Sequence, residues 1–179
     1  MNDAEHDLLV LDAQDGSREA FEALVRHHHP GLLRYAIALS GEPALAQDAV
    51  QDGWMTAARR IRRLDDARAF RGWLYHAVRW RVLDMQRRRH RQDLSLPDDD
   101  AALPSLDEEQ ARERGLDLDR ALERMPAVER EILQLFYLRE LRIPEIAVVL
   151  DVPQGTVKSR LHRARQALKL IIEGDDHES

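Results

Sequence analysis

Apolar residues recur every three or four positions in several stretches of the chain, which is the spacing of a helix with one buried face. In the N-terminal half this spacing predicts helices over residues 18–39, 44–64 and 70–92. His29-Pro30-Gly31 lies inside the first of them and favours a bend or a break there. No stretch alternates apolar and polar residues with a period of two, so we expect no β-sheet.

The helix predicted over residues 44–64 separates its apolar and polar residues clearly. Asp48, Gln51 and Asp52 fall on the polar side, toward solvent or a partner. The apolar side contains Ala46, Ala49, Val50, Trp54, Ala57, Ala58 and Ile61.

The composition changes between residues 93 and 117, where prolines and runs of acidic residues indicate a flexible linker. Helical spacing resumes over residues 116–125 and 127–141. A short helix at 144–150, a turn at Asp151-Val152 and a final helix then follow, with the proportions of a helix-turn-helix motif. We expect the last seven residues, 173–179, to fray.

Charge is sorted by segment, although the formal net charge is -6. Residues 59–91 contain twelve arginines and three aspartates, whereas residues 93–119 contain ten acids and two arginines. Residues 153–170 contain five Lys or Arg and no acid. Two basic segments joined by an acidic one are typical of two nucleic-acid-binding modules on a tether.

Several classes of function are excluded or disfavoured by what the 179 residues lack. Absence of cysteine excludes disulfides, thiolate zinc sites and cysteine nucleophiles. No apolar run approaches about 18 residues, so we expect no membrane insertion. The acidic N-terminus lacks the basic start of a secretory signal, which favours a cytoplasmic protein.

His27, His28 and His29 form the only cluster that resembles a metal site. Neighbouring residues of a helix point about 100° apart, so the three rings do not face one ion and we expect no metal or other cofactor. Paired carboxylates at suggestive positions are also missing, which argues against an enzyme such as a nuclease.

The final helix carries a polar, basic face suited to the major groove of DNA. Its apolar stripe, with the spacing i, i+4, i+7 and i+11, consists of Val157, Leu161, Ala164 and Leu168. Arg160 and Arg165 border this stripe and are candidates for phosphate contacts. The opposite face presents Gln154, Thr156, Lys158, Ser159, His162, Arg163 and Gln166.

Aromatic and cationic residues alternate in the helix predicted over residues 70–92. Separating DNA strands requires flat surfaces for unstacked bases and cations for the freed strand. Both are supplied by Trp73, Tyr75 and Trp80 interleaved with Arg71, Arg79 and Arg81. Alternatively, Trp54, Trp73 and Tyr75 are core residues, and for Trp80 both interpretations stay open.

The chain resembles bacterial sigma factors in two regions. Met125-Pro126, Glu129–Leu133, Glu145–Ala147 and Val152–Leu168 match the pattern of sigma region 4 in order. The sequences "AQDAVQDGW" and "AFRGWLYHAVRWRVLDMQRRR" resemble the polymerase-binding and promoter-melting helices of sigma region 2. This layout, without regions 1 and 3, is similar to that of extracytoplasmic-function (ECF) sigma factors.

The resemblance implies an all-α fold of two small helical domains joined by an acidic flexible linker. Region 2 would span residues 1–92, the linker 93–117, the region 4 helix-turn-helix 118–172 and a disordered tail 173–179. The chain would bind core RNA polymerase, direct it to promoters and promote DNA melting.

Roles for individual residues follow from the same resemblance. Asp48, Gln51 and Asp52 would bind the clamp helices of the polymerase β′ subunit. The apolar surface of region 4 would bind the β flap. An anti-sigma protein would cover the docking surfaces. Residues implied at the -10 element are Leu64, Arg68, Trp73, Arg79 and Trp80. At the -35 element, Lys158, Ser159, His162 and Arg163 would read bases, with Thr156 and Arg160 on the DNA backbone.

Several positions depart from the family pattern. Trp80 stands where family members often have Asn, so the -10 preference does not transfer, and Ile143-Pro144 replaces the usual Ser-containing start of the short helix. Gly53 interrupts the predicted polymerase-binding helix at a cost of about 1 kcal/mol relative to Ala. Asp151 replaces the common turn glycine, although Asp tolerates the left-handed conformation.

A stand-alone helix-turn-helix regulator that binds duplex DNA without polymerase is the alternative. It explains residues 118–172 but leaves the arginine- and tryptophan-rich segment at 70–91 without a role.

Overall fold

The structure, a computed structural model, describes residues 1–93, 122 and 124–175. The described residues contain helices and turns and no strand, in agreement with the predicted all-α fold. The predicted linker and most of the helix predicted over 116–125 lie outside the described residues. The helices are α1 Asp3–Gln14, α2 Arg18–Ser40, α3 Pro43–Arg60, α4 Phe70–Asp93, α5 Ala127–Leu133, α6 Ile143–Leu150 and α7 Gln154–Asp175.

Helix α1 is absent from the sequence-based prediction, because it buries little more than Val10 and Ala13. It begins with a capping box, in which the Asn2 side chain accepts from the Glu5 amide and the Glu5 side chain accepts from the Asn2 amide. Of the bend or break predicted in α2, the break does not occur, because the helix continues through Pro30 to an αL glycine at Gly41. Pro30 lies on the exposed side of α2, and Leu24 and Leu32 on either side of it are buried, so packing holds the helix across the proline.

Helices α1–α4 form an N-terminal unit in which α2, α3 and α4 pack around one apolar core. Ala58 is exposed, contrary to the prediction, because one residue beyond the buried Ala57 the helix has already turned by about 100°. The most deeply buried side chains include Leu24, Leu32, Tyr35, Val50, Phe70, Leu74 and Val78.

Helices α5–α7 form a C-terminal unit that contains the predicted helix-turn-helix. Helix α5 ends earlier than predicted, in a π-helical turn over Gln134–Leu138. Asp151 adopts the left-handed conformation at φ 53° and ψ 51°, and the Val152 amide closes the turn on the Ala147 carbonyl at 3.1 Å. Val157, Leu161 and Ala164 are buried as the stripe predicts.

The two units pack against each other through α4 and α6. A Cβ atom added to Gly72 would lie 3.2 Å from both the Cα and the carbonyl oxygen of Glu145, so the absence of a side chain permits this approach.

His28 fixes α1 on the bundle. Its ring is 5% exposed, and its Nε2 atom lies 3.0 Å from Nε2 of His6. Burial, together with the charges of His6, His27 and Arg71, lowers the pKa of His28 to about 3. The buried ring is therefore neutral at neutral pH.

Gly53→Ala should destabilise the protein, although Ala is the better helix former. The added Cβ would lie 2.6 Å from Cγ2 of Val78, a fully buried side chain with few accessible rotamers. We expect the free energy of unfolding to fall by about 1–3 kcal/mol in urea denaturation. Gly155→Ala, which adds a Cβ with no atom within 4 Å, is the matched control and should raise it by about 0.5 kcal/mol. Equal stability of Gly53→Ala and wild type would contradict this.

His28→Gln should make stability less sensitive to acid. The unfolded chain binds a proton at His28 below pH 6.5, whereas the folded chain binds it only near pH 3, so stability falls as the pH drops through this window. Between pH 7 and 5 the variant should lose about 2 kcal/mol less than wild type, measured by urea denaturation at each pH. His29→Gln, at an exposed ring, should retain the wild-type slope.

Candidate nucleic-acid interface

Helix α7 presents the predicted -35 residues on one surface of the C-terminal unit. Lys158, Ser159, His162 and Arg163 are exposed, whereas Thr156 and Arg160 are half-buried at the edge of the apolar stripe. The Ser159 hydroxyl donates to the Thr156 carbonyl at 3.0 Å, so its lone pairs remain available for a DNA contact. The short helix α6 and the αL turn at Asp151 lead directly into α7 and set its direction.

Arg165 makes contacts inside the C-terminal unit instead of projecting freely. Its Nε donates to the Tyr137 hydroxyl at 2.7 Å. Its guanidinium carbon lies 5.2 Å from the centre of the Phe136 ring and 5.5 Å from that of Tyr137. The contacts join α7 to the π-helical turn.

The loop between α3 and α4 contains two of the residues implied at the -10 element. Leu64 is half-buried, and its carbonyl oxygen accepts a hydrogen bond of 2.7 Å from the side-chain amide of Gln14, which ties this loop to α1. Arg68 is exposed and hydrogen-bonds Asp66 through its Nε at 3.0 Å. This bond raises the pKa of Arg68 and lowers that of Asp66, but water screens the pair.

Trp73 and Trp80 lie along one groove between α3 and α4. Trp80 is 54% exposed, whereas Trp73 is half-buried with its ring 6.4 Å from Phe70. Trp54, by contrast, is a core residue at 8% exposure, as is Tyr75 at 4%. The groove has a volume of about 420 Å³ and is lined by Asp52, Gly53, Thr56, Arg60, Trp73, His76, Ala77, Trp80 and Arg81.

Arg79, the remaining -10 candidate, is bound by the C-terminal unit. Its Nε donates to Oε1 of Glu131 at 2.8 Å and its Nη2 approaches Oε2 at 3.3 Å. The buried Tyr35 hydroxyl donates to the same Oε1 at 2.6 Å. Burial raises the pKa of Tyr35 well above its usual value, and the Glu131 carboxylate adds to this effect.

Arg71 is bound in the same manner. Its Nε and Nη2 donate to the two carboxylate oxygens of Glu145 at 2.8 and 2.7 Å, and Nη2 also reaches the Glu140 carbonyl at 3.2 Å. Sequence reasoning missed Glu131 and Glu145, because each lies more than fifty residues from its arginine and nothing local marks it as a partner.

The predicted polymerase-binding residues lie on one face of α3. Asp48 and Gln51 are exposed, and Asp52 is half-buried. Asp52 accepts from Nε of Arg81 at 2.6 Å, and Nη1 of Arg81 also reaches Asp84 at 3.2 Å. The face therefore presents one exposed acid, one exposed amide and one acid held by α4.

A metal centre finds no support in the described part of the chain. No group of three potential ligand side chains comes together there. The three consecutive histidines diverge, with His28 buried and its two neighbours exposed. Among the same residues, no helix combines the length and hydropathy that crossing a bilayer requires.

Family comparisons match both halves of the chain. The family model described as sigma-70 region 2 matches residues 24–92, and the model described as sigma-70, region 4 matches residues 115–168. The first match covers the segment to which a stand-alone helix-turn-helix regulator gives no role, so that alternative is not supported.

Known proteins resemble the chain over nearly its whole length. The ECF RNA polymerase sigma factor SigL of Mycobacterium tuberculosis is 34% identical over 168 residues, covering 92% of this chain and 95% of SigL. A structure of CnrH in complex with the cytosolic domain of CnrY gives a TM-score of 0.68 at 25% identity, covering 96% of this chain and 99% of CnrH. The structure of RpoE from Bartonella quintana in complex with the anti-sigma factor NepR gives a TM-score of 0.63 at 24% identity, covering 86% of this chain and 96% of RpoE.

Together, the two family matches, the helix-turn-helix with its basic face and the identity to SigL show that the chain belongs to the ECF subfamily of sigma-70 RNA polymerase sigma factors.

Proposed function

We propose that this sigma factor binds core RNA polymerase and directs it to promoters by reading a -35 element with α7 and a -10 element with the N-terminal unit. The observation that carries this proposal is the 34% identity to an ECF sigma factor over 92% of the chain. The role needs binding and strand separation and no covalent step in this chain, so the protein is not an enzyme. Its place of action would be the cytoplasm, with the polymerase and the DNA.

At the -35 element, Lys158, Ser159, His162 and Arg163 read base edges in the major groove. Their exposure on one face of α7 supports this assignment. Thr156 and Arg160, which lie at the edge of the same face, contact the DNA backbone.

At the -10 element, the loop carrying Leu64 and Arg68 meets the unpaired strand. Trp73 and Trp80 offer ring surfaces for bases beside the groove between α3 and α4, and Arg79 contributes a cation. Exposure of Trp80 supports a contact with DNA, since a tryptophan that serves packing alone is usually covered.

Asp48, Gln51 and Asp52 of α3 would contact the clamp helices of the polymerase β′ subunit. Exposed apolar side chains of the C-terminal unit, Val128, Tyr137 and Leu138, fit the β flap. An anti-sigma protein would cover these surfaces, as the CnrH and RpoE complexes suggest. We assign residues 1–92 to region 2, 93–117 to a linker and 118–172 to region 4.

Promoter opening with purified components tests the proposal. The chain and core RNA polymerase are mixed with fragmented genomic DNA, and the unpaired regions are mapped by permanganate footprinting and sequencing. We expect opening at a shared pair of elements only when both proteins are present. Asp48→Arg should abolish opening, whereas Asp12→Arg, at an exposed acid of α1, should not. Tight duplex binding by the chain alone, unchanged by polymerase, would restore the regulator interpretation.

Arg163→Ala should weaken promoter binding by the holoenzyme about 10- to 100-fold, because a base contact of this kind contributes about 1–3 kcal/mol. The loss should vanish on a promoter altered at the one -35 base that Arg163 reads, which electrophoretic mobility shifts over all single-base variants would identify. Arg26→Ala, at an exposed arginine of α2, is the control. Weakening that is uniform over all variants would instead indicate a phosphate contact.

A further inference from the structure

Two ion pairs join α4 of the N-terminal unit to the C-terminal unit, through Arg71 and Arg79. Arg71 binds Glu145 through two hydrogen bonds of 2.8 and 2.7 Å, in the fork geometry that an arginine also offers to phosphate. Arg79 binds Glu131 at 2.8 and 3.3 Å. We call these the interunit ion pairs.

The two glutamates are held as acceptors in the interface. Glu131 and Glu145 are only 8% and 7% exposed, and each accepts a further hydrogen bond. Tyr35 donates to Glu131 at 2.6 Å, and the Arg142 amide donates to Glu145 at 2.6 Å. Burial of a carboxylate is unfavourable unless a cation compensates its charge, and closure of the units places an arginine of α4 beside each glutamate. Glu145 also lies 3.6 Å from Nε of Arg142 in its own unit.

Arg71 and Arg79 lie on α4, the helix that the proposed function assigns to the unpaired strand. Arg71 and Arg79 are eight residues apart, about 12 Å along α4, and Trp73 and Trp80 follow them by two residues and by one. A guanidinium whose N–H groups already bind a carboxylate cannot donate them to a phosphate as well. Glutamate and phosphate therefore compete for the fork that Nε and Nη2 of each arginine form.

We propose that the free sigma factor is closed by the interunit ion pairs, with Glu131 and Glu145 in the places that phosphates of the unpaired promoter strand take in the open form. Arg71 is thereby added to the strand-binding residues. This inference rests on the proposed function, because it assumes that α4 binds the unpaired strand. Opening of the two units exposes both arginines beside the Trp73–Trp80 groove, which is already accessible in the closed form.

Another arginine in the interface opposes closure. The half-buried Arg139 has a buried Nε without a hydrogen-bond partner, next to Tyr75 of α4. Burial lowers the pKa of Arg139, and repulsion by Arg34 of α2 lowers it further. The closed form therefore leaves one buried N–H group of Arg139 unsatisfied, which costs free energy and favours opening by binding partners.

Closure lowers the apparent affinity for DNA, because the apparent affinity is the affinity of the open form multiplied by the fraction of molecules that are open. The test uses Glu131→Gln with Glu145→Gln, which preserves the shape of both side chains and removes their charge. Because the chain has no cysteine, Ala44→Cys and Gln166→Cys, at exposed positions of α3 and α7, accept a pair of fluorophores. Energy transfer between them reports closure in the full chain.

We expect high energy transfer in wild type and a clear fall in the double glutamine variant. Binding to a fluorescent oligothymidylate, measured by anisotropy, should tighten about tenfold in the variant. Adding Arg71→Gln and Arg79→Gln should keep the chain open and remove this gain. Glu22→Gln, which breaks the exposed Arg18–Glu22 pair of α2, is the matched control and should change neither measurement.

Low energy transfer in wild type, or unchanged transfer in the glutamine variant, would show that the ion pairs do not close the free chain. Opening without tighter strand binding would show that the glutamates do not mask the DNA site. Circular dichroism melting of each variant separates opening from unfolding. Transcription with core polymerase separates the two proposals, because wild type that opens promoters retains the proposed function even if the closure inference fails.

Discussion

Burial of one side of α4 is the constraint on which the arrangement of the other surfaces depends. Phe70, Leu74, Val78 and Val82 are fully buried at helical spacing, which fixes α4 against α2 and α3. Val78 packs so closely on α3 that position 53 has no room for a side chain. With this side fixed, Arg71 and Arg79 face the C-terminal unit and Trp80 faces solvent.

Charge and shape cooperate where the two units meet. Gly72 lets α6 approach α4, and that approach brings Glu145 within hydrogen-bonding distance of Arg71. Glu131 likewise joins α5 to both α2 and α4 through Tyr35 and Arg79. Partly buried ion pairs of this kind stabilise a protein little more than apolar residues of similar volume would. Removal of one partner, however, leaves the other charge buried and is costly, so the pairs favour a defined orientation of the units.

The helix-turn-helix was the most predictable part of the molecule. The Val157, Leu161 and Ala164 stripe, the turn at Asp151 and the exposure of Lys158 and Arg163 all follow from residues close together in sequence. Helix α1 was missed, since a helix with two buried residues leaves almost no periodic signal. Pro30 does not end α2, because packing of the buried residues on both sides of it, such as Leu24 and Leu32, holds the helix.

The sequence by itself determined the helical class, the two basic segments, the helix-turn-helix and the family resemblance, because periodicity, charge and motif spacing are local properties. Only the tertiary structure decided which arginines of α4 are occupied, why Gly53 is a glycine and that His28 is a neutral core residue. Each of these depends on a neighbour that is distant in the chain: Glu131 for Arg79, Val78 for Gly53 and His6 for His28. Such neighbours are set by packing, and no local pattern encodes them.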